Sequence, residues 1–249
     1  MASPEIIAVW GPPCSGKTTV SVRLGMEIAG SGKSVAIVCC DNITPALPVL
    51  FPEALREDLH SIGEIFGSVD ITERDILASA TVLDKYPDMI YLGYIMGDNA
   101  YTWPSFSDRR AGMMLSAIKN SVDKIIVDCC SSISGDPLTE YALKNAGTVI
   151  KIHTPEPRSI SFYESQLPFF SALGNNDGTK IELLNTTSND VFLPTDEFKD
   201  YTDEAIKIPY FRELRRSFAD GTLVKSEISR KAKKTFKKTA EKITAAPEV

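Results

Sequence analysis

A three-layer α/β/α fold around a mostly parallel central sheet is predicted by three features of this 249-residue chain. Short, uninterrupted apolar runs alternate with longer amphipathic ones, the pattern of strands buried on both faces and covered by helices. The first run, Ile6-Ile7-Ala8-Val9-Trp10, leads through Gly11-Pro12-Pro13-Cys14-Ser15-Gly16-Lys17-Thr18 into a helical stretch. Two later runs, Val35–Asp41 and Lys124–Asp128, end in carboxylates. The length suffices to bury such a core within one domain.

Taken in order, the apolar runs place strands at Ile6–Trp10, Val35–Cys40, Ile90–Ile95, Lys124–Cys129, Thr148–His153 and Lys180–Asn185. Amphipathic spacing places helices at Lys17–Gly30, Glu53–Leu59, Ile71–Ala80, Asp108–Ser121, Pro137–Asn145 and Ser159–Leu173. Gly32 and Gly147 stand where helices are commonly closed by glycine. Ile208–Phe218 contains Pro209 near its start and reads as a turn leading into a helix. No repeat, low-complexity tract or linker divides the chain, so residues 1–225 are expected to form one domain and 226–249 a basic amphipathic tail.

That tail differs in charge from the body. Lys225 to Lys242 hold eight basic residues against Glu227 and Glu241, a net of +6; the chain carries −6, leaving −12 for the remainder. Ile228, Ala232, Phe236, Ala240 and Ile243 recur at helical spacing, an apolar stripe flanked by lysines. A solvated terminal helix with Phe236 tucked onto the body is the preferred reading. A membrane-surface or protein partner is the next, and nucleic acid the least favoured, because the acidic body opposes phosphate binding.

No apolar stretch approaches the roughly 20 residues of a membrane span, and the first strand begins too early for a signal peptide. A cytoplasmic location is expected, or one peripheral to the inner face of the membrane. Cys14, Cys39, Cys40, Cys129 and Cys130 show no C-x-x-C spacing. Small apolar residues at strand ends are preferred over a redox switch or soft-metal site. His60 and His153 lack ligand spacing. The Tyr101-Thr102-Trp103-Pro104 loop reads as packing on its own domain rather than lining a partner interface.

Residues 11–18 carry the spacing of a P-loop, in its strand-before, helix-after context. The loop and first helical turn, Gly11, Pro12, Pro13, Cys14, Ser15, Gly16, Lys17, Thr18 and Thr19, are expected to bind the nucleotide. Main-chain N–H groups of residues 15–18 would surround the β-phosphate, aided by the positive helix end. Pro12 and Pro13 have no N–H but precede those donors. Lys17 is expected to reach the β/γ oxygens and Thr18 to offer its hydroxyl to Mg²⁺. Asp128 and Asp41 end parallel strands, where open α/β sheets bind ligands. Asp128 should face the metal; Asp41 should orient water or complete the metal shell. Lys17, Asp41 and Asp128 are thus the catalytic candidates, and Thr18, Asp41 and Asp128 the metal candidates. The local alternatives are an N-cap or loop charge for Asp128 and an Asx-turn for Asp41.

Further blocks follow in order: Asp136-Pro137-Leu138-Thr139, Val149–His153 with Thr154-Pro155-Glu156-Pro157-Arg158-Ser159-Ile160, Leu183-Leu184-Asn185, and Ile208-Pro209-Tyr210 with Asp220-Gly221. With the P-loop and the two strand-end acids, they resemble the MinD/ParA family of P-loop ATPases, in the group that includes the signal-recognition GTPases. The likeness spans roughly residues 5–225. It implies ATP and Mg²⁺ as cofactors, Asp41 as the switch-I carboxylate, Asp128 as the Walker-B acid, and Asn185 and Pro209 at the adenine. It also implies a nucleotide-dependent homodimer acting in localisation, partitioning or assembly. Family members carry a signature lysine where this chain has Pro12, and paired glycines where it has Pro13 and Cys14; Cys39 replaces the first Asp of their Asp-x-Asp element. Slow turnover is therefore expected. Similar erosion marks TadZ/CpaE-like relatives, and with it comes a second reading, a non-hydrolysing scaffold for pilus, secretion or conjugation apparatus. A small-molecule kinase is a third reading, opposed by the lack of an arginine-rich lid.

Overall fold

The computed structural model describes residues 5–174, 178–190 and 205–244. Eight strands form one sheet: β1 (Glu5–Trp10), β2 (Val35–Cys39), β3 (Thr81–Leu83), β4 (Tyr86–Gly93), β5 (Lys124–Asp128), β6 (Thr148–His153), β7 (Thr179–Asn185) and β8 (Ile206–Ile208), ordered β3-β4-β2-β5-β1-β6-β7-β8. Each neighbouring pair is parallel except β3 with β4. The predicted fold class holds.

Alternation along each strand builds a core on both sheet faces. On β1, Ile6, Ala8 and Trp10 enter one core, and Ile7 and Val9 the other. The first core lies under α3 (Ile62–Gly67), α4 (Glu73–Ser79), α5 (Asp108–Lys119), α6 (Pro137–Asn145) and α7 (Pro157–Ala172). The second lies under α1 (Lys17–Ala29), α2 (Leu47–Leu50), α8 (Arg212–Ala219) and α9 (Arg230–Thr244). Trp10 is fully buried, stacks on Phe170 and meets Phe162 and Tyr163, so the strand feeding the P-loop is pinned to α7.

Several local expectations differ from the structure. Glu53–Leu59 is a single 3₁₀ turn at Arg56–Asp58, preceded by α2. Pro48 is tolerated in the first turn of α2, whereas Pro52 forces Phe51 out of the helical region and stops it. Helix α3 falls outside the predicted elements, although Ser61 and Glu64 form a reciprocal capping box at its start. Strands β3 and β8 span three residues each, too short to show a period. Gly32 is left-handed, with φ +86°, just beyond α1. Gly147 is not; α6 ends on an extended Ala146, and a side chain at 147 would meet Glu5 Cγ at 3.0 Å.

Helix α9 lays Ala232, Phe236, Ala240 and Ile243, all buried, into the second core alongside α1. Ser229 caps it, accepting from the Ala232 N–H and donating its hydroxyl to Glu213. Arg23 of α1, itself buried, donates through both terminal nitrogens to the Ser226 carbonyl at 3.1 and 3.2 Å, fixing where the chain enters α9. Residues 1–4 and the last residues of the tail, 245–249, lie outside the described residues.

Candidate nucleotide site

The Gly11–Thr18 segment is a tight loop because two of its residues turn left-handed: Gly16 at φ +86° and Cys14 at φ +62°. Glycine accepts that region freely; a cysteine there costs of the order of 1 kcal/mol or more. No side chain caps α1, and its first backbone bond runs from the Val20 N–H to the Gly16 carbonyl at 2.9 Å. The N–H groups of Lys17, Thr18 and Thr19 therefore precede the helical ladder.

Lys17 Nζ donates to the carbonyls of Gly11 and Pro12 at 3.3 and 3.1 Å, and to Ser131 Oγ at 2.7 Å. The same Ser131 accepts from Trp10 Nε1 through its carbonyl at 3.0 Å. The loop after β5 is thereby tied both to β1 and to the P-loop lysine. Thr18 Oγ1 donates to Asp128 Oδ2 at 2.6 Å, and Ser21 Oγ approaches Oδ1 at 3.5 Å. Burial raises the Asp128 carboxyl to about 6, against the Thr18 hydrogen bond and the Lys17 charge, which favour ionisation.

Asp41 takes its hydrogen bonds locally. Its Oδ1 accepts from the N–H groups of Ile43 and Thr44 at 2.9 Å each, and its Oδ2 from Thr44 Oγ1 at 2.7 Å. This is an Asx-type turn, yet Asp41 remains near enough to Asp128 to raise its pKa. Asn185, at the end of β7, donates Nδ2 to the Ser15 carbonyl at 2.8 Å and packs so closely that a Cβ on Gly16 would lie 2.5 Å from it. In this state the Asn185 amide buttresses the loop. Pro209 is exposed, and its neighbour Tyr210 reaches a cleft of about 290 Å³ that Pro12, Pro13 and Cys14 share with Arg158, Thr187 and Arg215.

Cys39, Cys40 and Cys129 are buried, Cys130 Sγ donates to the Cys40 carbonyl at 3.1 Å, and burial holds all four thiols protonated. Cys14 stands exposed in the loop. Sequence reasoning could not reach these contacts of Ser131 and Ser21, because they span more than a hundred residues and follow no spacing rule. It also missed a cluster beside the site: Glu182 receives Lys151 at 3.0 Å and His153 at 2.6 Å, and His153 stacks on Tyr163.

A phosphate chain with a divalent cation fits these residues. Ser15 Oγ is buried with no hydrogen-bond partner among the described residues. The start of α1 offers uncapped donors. The hydroxyl of Thr18 and the carboxylate of Asp128 are the hard oxygen pair that Mg²⁺ prefers.

A strand, a left-handed glycine-containing loop, an uncapped helix and a strand-end acid facing it define an α/β protein of the P-loop class. No described protein family and no curated protein matches the sequence. Among solved structures it is similar to a ParA family ATPase from Chlorobium tepidum, with 14% identity, 96% of this chain and 98% of that one covered, and a TM-score of 0.76. It is similar to the septum site-determining protein MinD of Pyrococcus horikoshii complexed with Mg-ADP, with 18% identity, 97% and 96% covered, and a TM-score of 0.74. A chain of the MinC:MinD cell division protein complex of Aquifex aeolicus gives 17% identity, 98% and 97% covered, and 0.72. The fold of this chain is that of the MinD/ParA ATPases.

Proposed function

We propose that the chain binds ATP with Mg²⁺ at the P-loop, hydrolyses it slowly, and uses nucleotide-dependent homodimerisation to localise, partition or assemble a larger machine. The observation that carries this reading is the Lys17–Ser131 and Thr18–Asp128 pair of contacts beneath an uncapped helix start. Lys17 exchanges its carbonyl partners for phosphate oxygens, and Ser15 Oγ gains the partner it lacks. Thr18 and Asp128 would hold the cation, with Asp128 ionised to do so. When bound, Mg²⁺ neutralises charge on the transferring phosphoryl group. Asn185 and Pro209 are assigned to the adenine side.

Asp41 already accepts three bonds within its turn, which leaves one oxygen, Oδ2, with acceptor capacity for water. That limited capacity favours slow turnover and supports the second reading, a non-hydrolysing nucleotide-dependent scaffold in a pilus, secretion or conjugation apparatus. The lysine-rich face of α9 is the surface offered to a membrane or protein partner at the inner face of a cytoplasmic membrane; its apolar stripe is already spent on α1. No helix of the described residues is long and apolar enough to cross a membrane.

Two measurements test the proposal. Light scattering of the full chain is expected to double the mass on addition of Mg-ATP; a strictly monomeric protein under saturating Mg-ATP overturns the dimer. Lys17→Ala is expected to weaken ATP binding at least tenfold, the worth of a charge-assisted contact of about 1.5–3 kcal/mol. Affinity unchanged within about threefold removes the phosphate-cradle assignment.

A further inference from the structure

The P-loop distributes its donors unevenly. Pro12 and Pro13 contribute no N–H, and Lys17 is the loop's only side-chain cation. On the side of the two prolines the loop forms one wall of the 290 Å³ cleft. Arg158, in the first turn of α7, and Arg215, on α8, line the same cleft from elements far apart in sequence. Both side chains are exposed, and neither forms an ion pair among the described residues. Glu156 is the one carboxylate in the lining, so the cleft keeps a net positive charge. Thr154, Ser159, Thr187 and Ser188 add hydroxyls around it.

A lone surface arginine is ordinarily just solvated. Two arginines lining one cleft where the adjoining loop is poor in donors are a different arrangement. Each carries about five N–H donors in a planar fork that matches phosphate oxygens. We propose that Arg158 and Arg215 bind the phosphate chain of the nucleotide from the cleft wall, supplying the donors that Pro12 and Pro13 lack. Their ligand class is a nucleoside di- or triphosphate, and the inference rests on the nucleotide reading above. Lys17 and the main-chain donors of residues 15–18 would hold the phosphates, and the two arginines would add contacts from the cleft.

The test is titration calorimetry of the full chain with Mg-ATP and Mg-ADP, for wild type, Arg158→Gln, Arg215→Gln and the double variant. Each single change is expected to weaken Mg-ATP binding about tenfold and the double change more. The double variant is also expected to lose part of the salt dependence of binding, and Arg→Lys at either site to recover part of the loss. Both side chains are exposed, so the variants keep the fold, which thermal melts verify. A double variant that binds Mg-ATP like wild type overturns the inference, and so does a loss with unchanged salt dependence and no recovery by lysine. If wild type binds Mg-ATP and Lys17→Ala does not, either of those results removes the arginines alone. If wild type binds no ATP, the nucleotide reading falls and takes this one with it.

Discussion

Single side chains here hold partners that a change of state would exchange, and Glu182 shows how strongly. Burial pushes its carboxyl up, but the His153 hydrogen bond and the Lys151 charge outweigh that and hold it below its ordinary value of 4.5. A depressed acid contributes stability that is present above its unfolded value and lost as pH falls through the folded one. Glu182→Gln is expected to cost about 1–3 kcal/mol at pH 7. Urea unfolding should show the gap between wild type and variant closing as pH falls below 4.5; a gap constant from pH 7 to pH 3 refutes the assignment. This cluster was invisible in the sequence, because Lys151 pairs with Glu182 only through the register of β6 and β7. The loop at residues 11–18 was legible, since its strand–loop–helix order follows from local spacing. Asp128 was legible as a strand-end acid, but its bond to Thr18 joins residues 110 apart, and only the parallel pairing of β1 with β5 brings them together.

Among the elements, α9 separates what pattern reveals from what packing adds. Its stripe was readable at helical spacing, and so was the burial of Phe236. The surface it covers was not, because nothing in a helical period names α1 as the neighbour. Phe236 is 1% exposed, so Phe236→Ala is expected to destabilise the chain by about 3–5 kcal/mol in denaturant unfolding. A loss below about 1 kcal/mol would mean that the helix is only loosely applied. Some of the shortest elements escaped notice for a related reason: α3, β3 and β8 are too brief for periodicity and owe their conformation to their neighbours. The capping box at Ser61 was the one local sign of α3.

Across the molecule, the alternation of apolar and amphipathic runs sufficed for the fold class, since a parallel sheet needs helices on both faces. The strand order was not available from that alternation. A ligand that binds the folded chain alone raises its stability by about 2.7 kcal/mol at a hundredfold excess over its dissociation constant. Mg-ATP at that excess is expected to raise the melting temperature by several degrees, and Lys17→Ala to cut the shift to about half or less. An equal shift in both proteins would place the nucleotide elsewhere.

The tryptophan that ends β1 gives the molecule an optical indicator of its own. Trp10 is one of two indoles in the chain, and its N–H rests on the backbone of Ser131, the residue whose hydroxyl holds Lys17. With Trp103→Phe removing the other emitter, fluorescence from a single buried ring reports the moment at which the lysine leaves its resting partners, with no label attached.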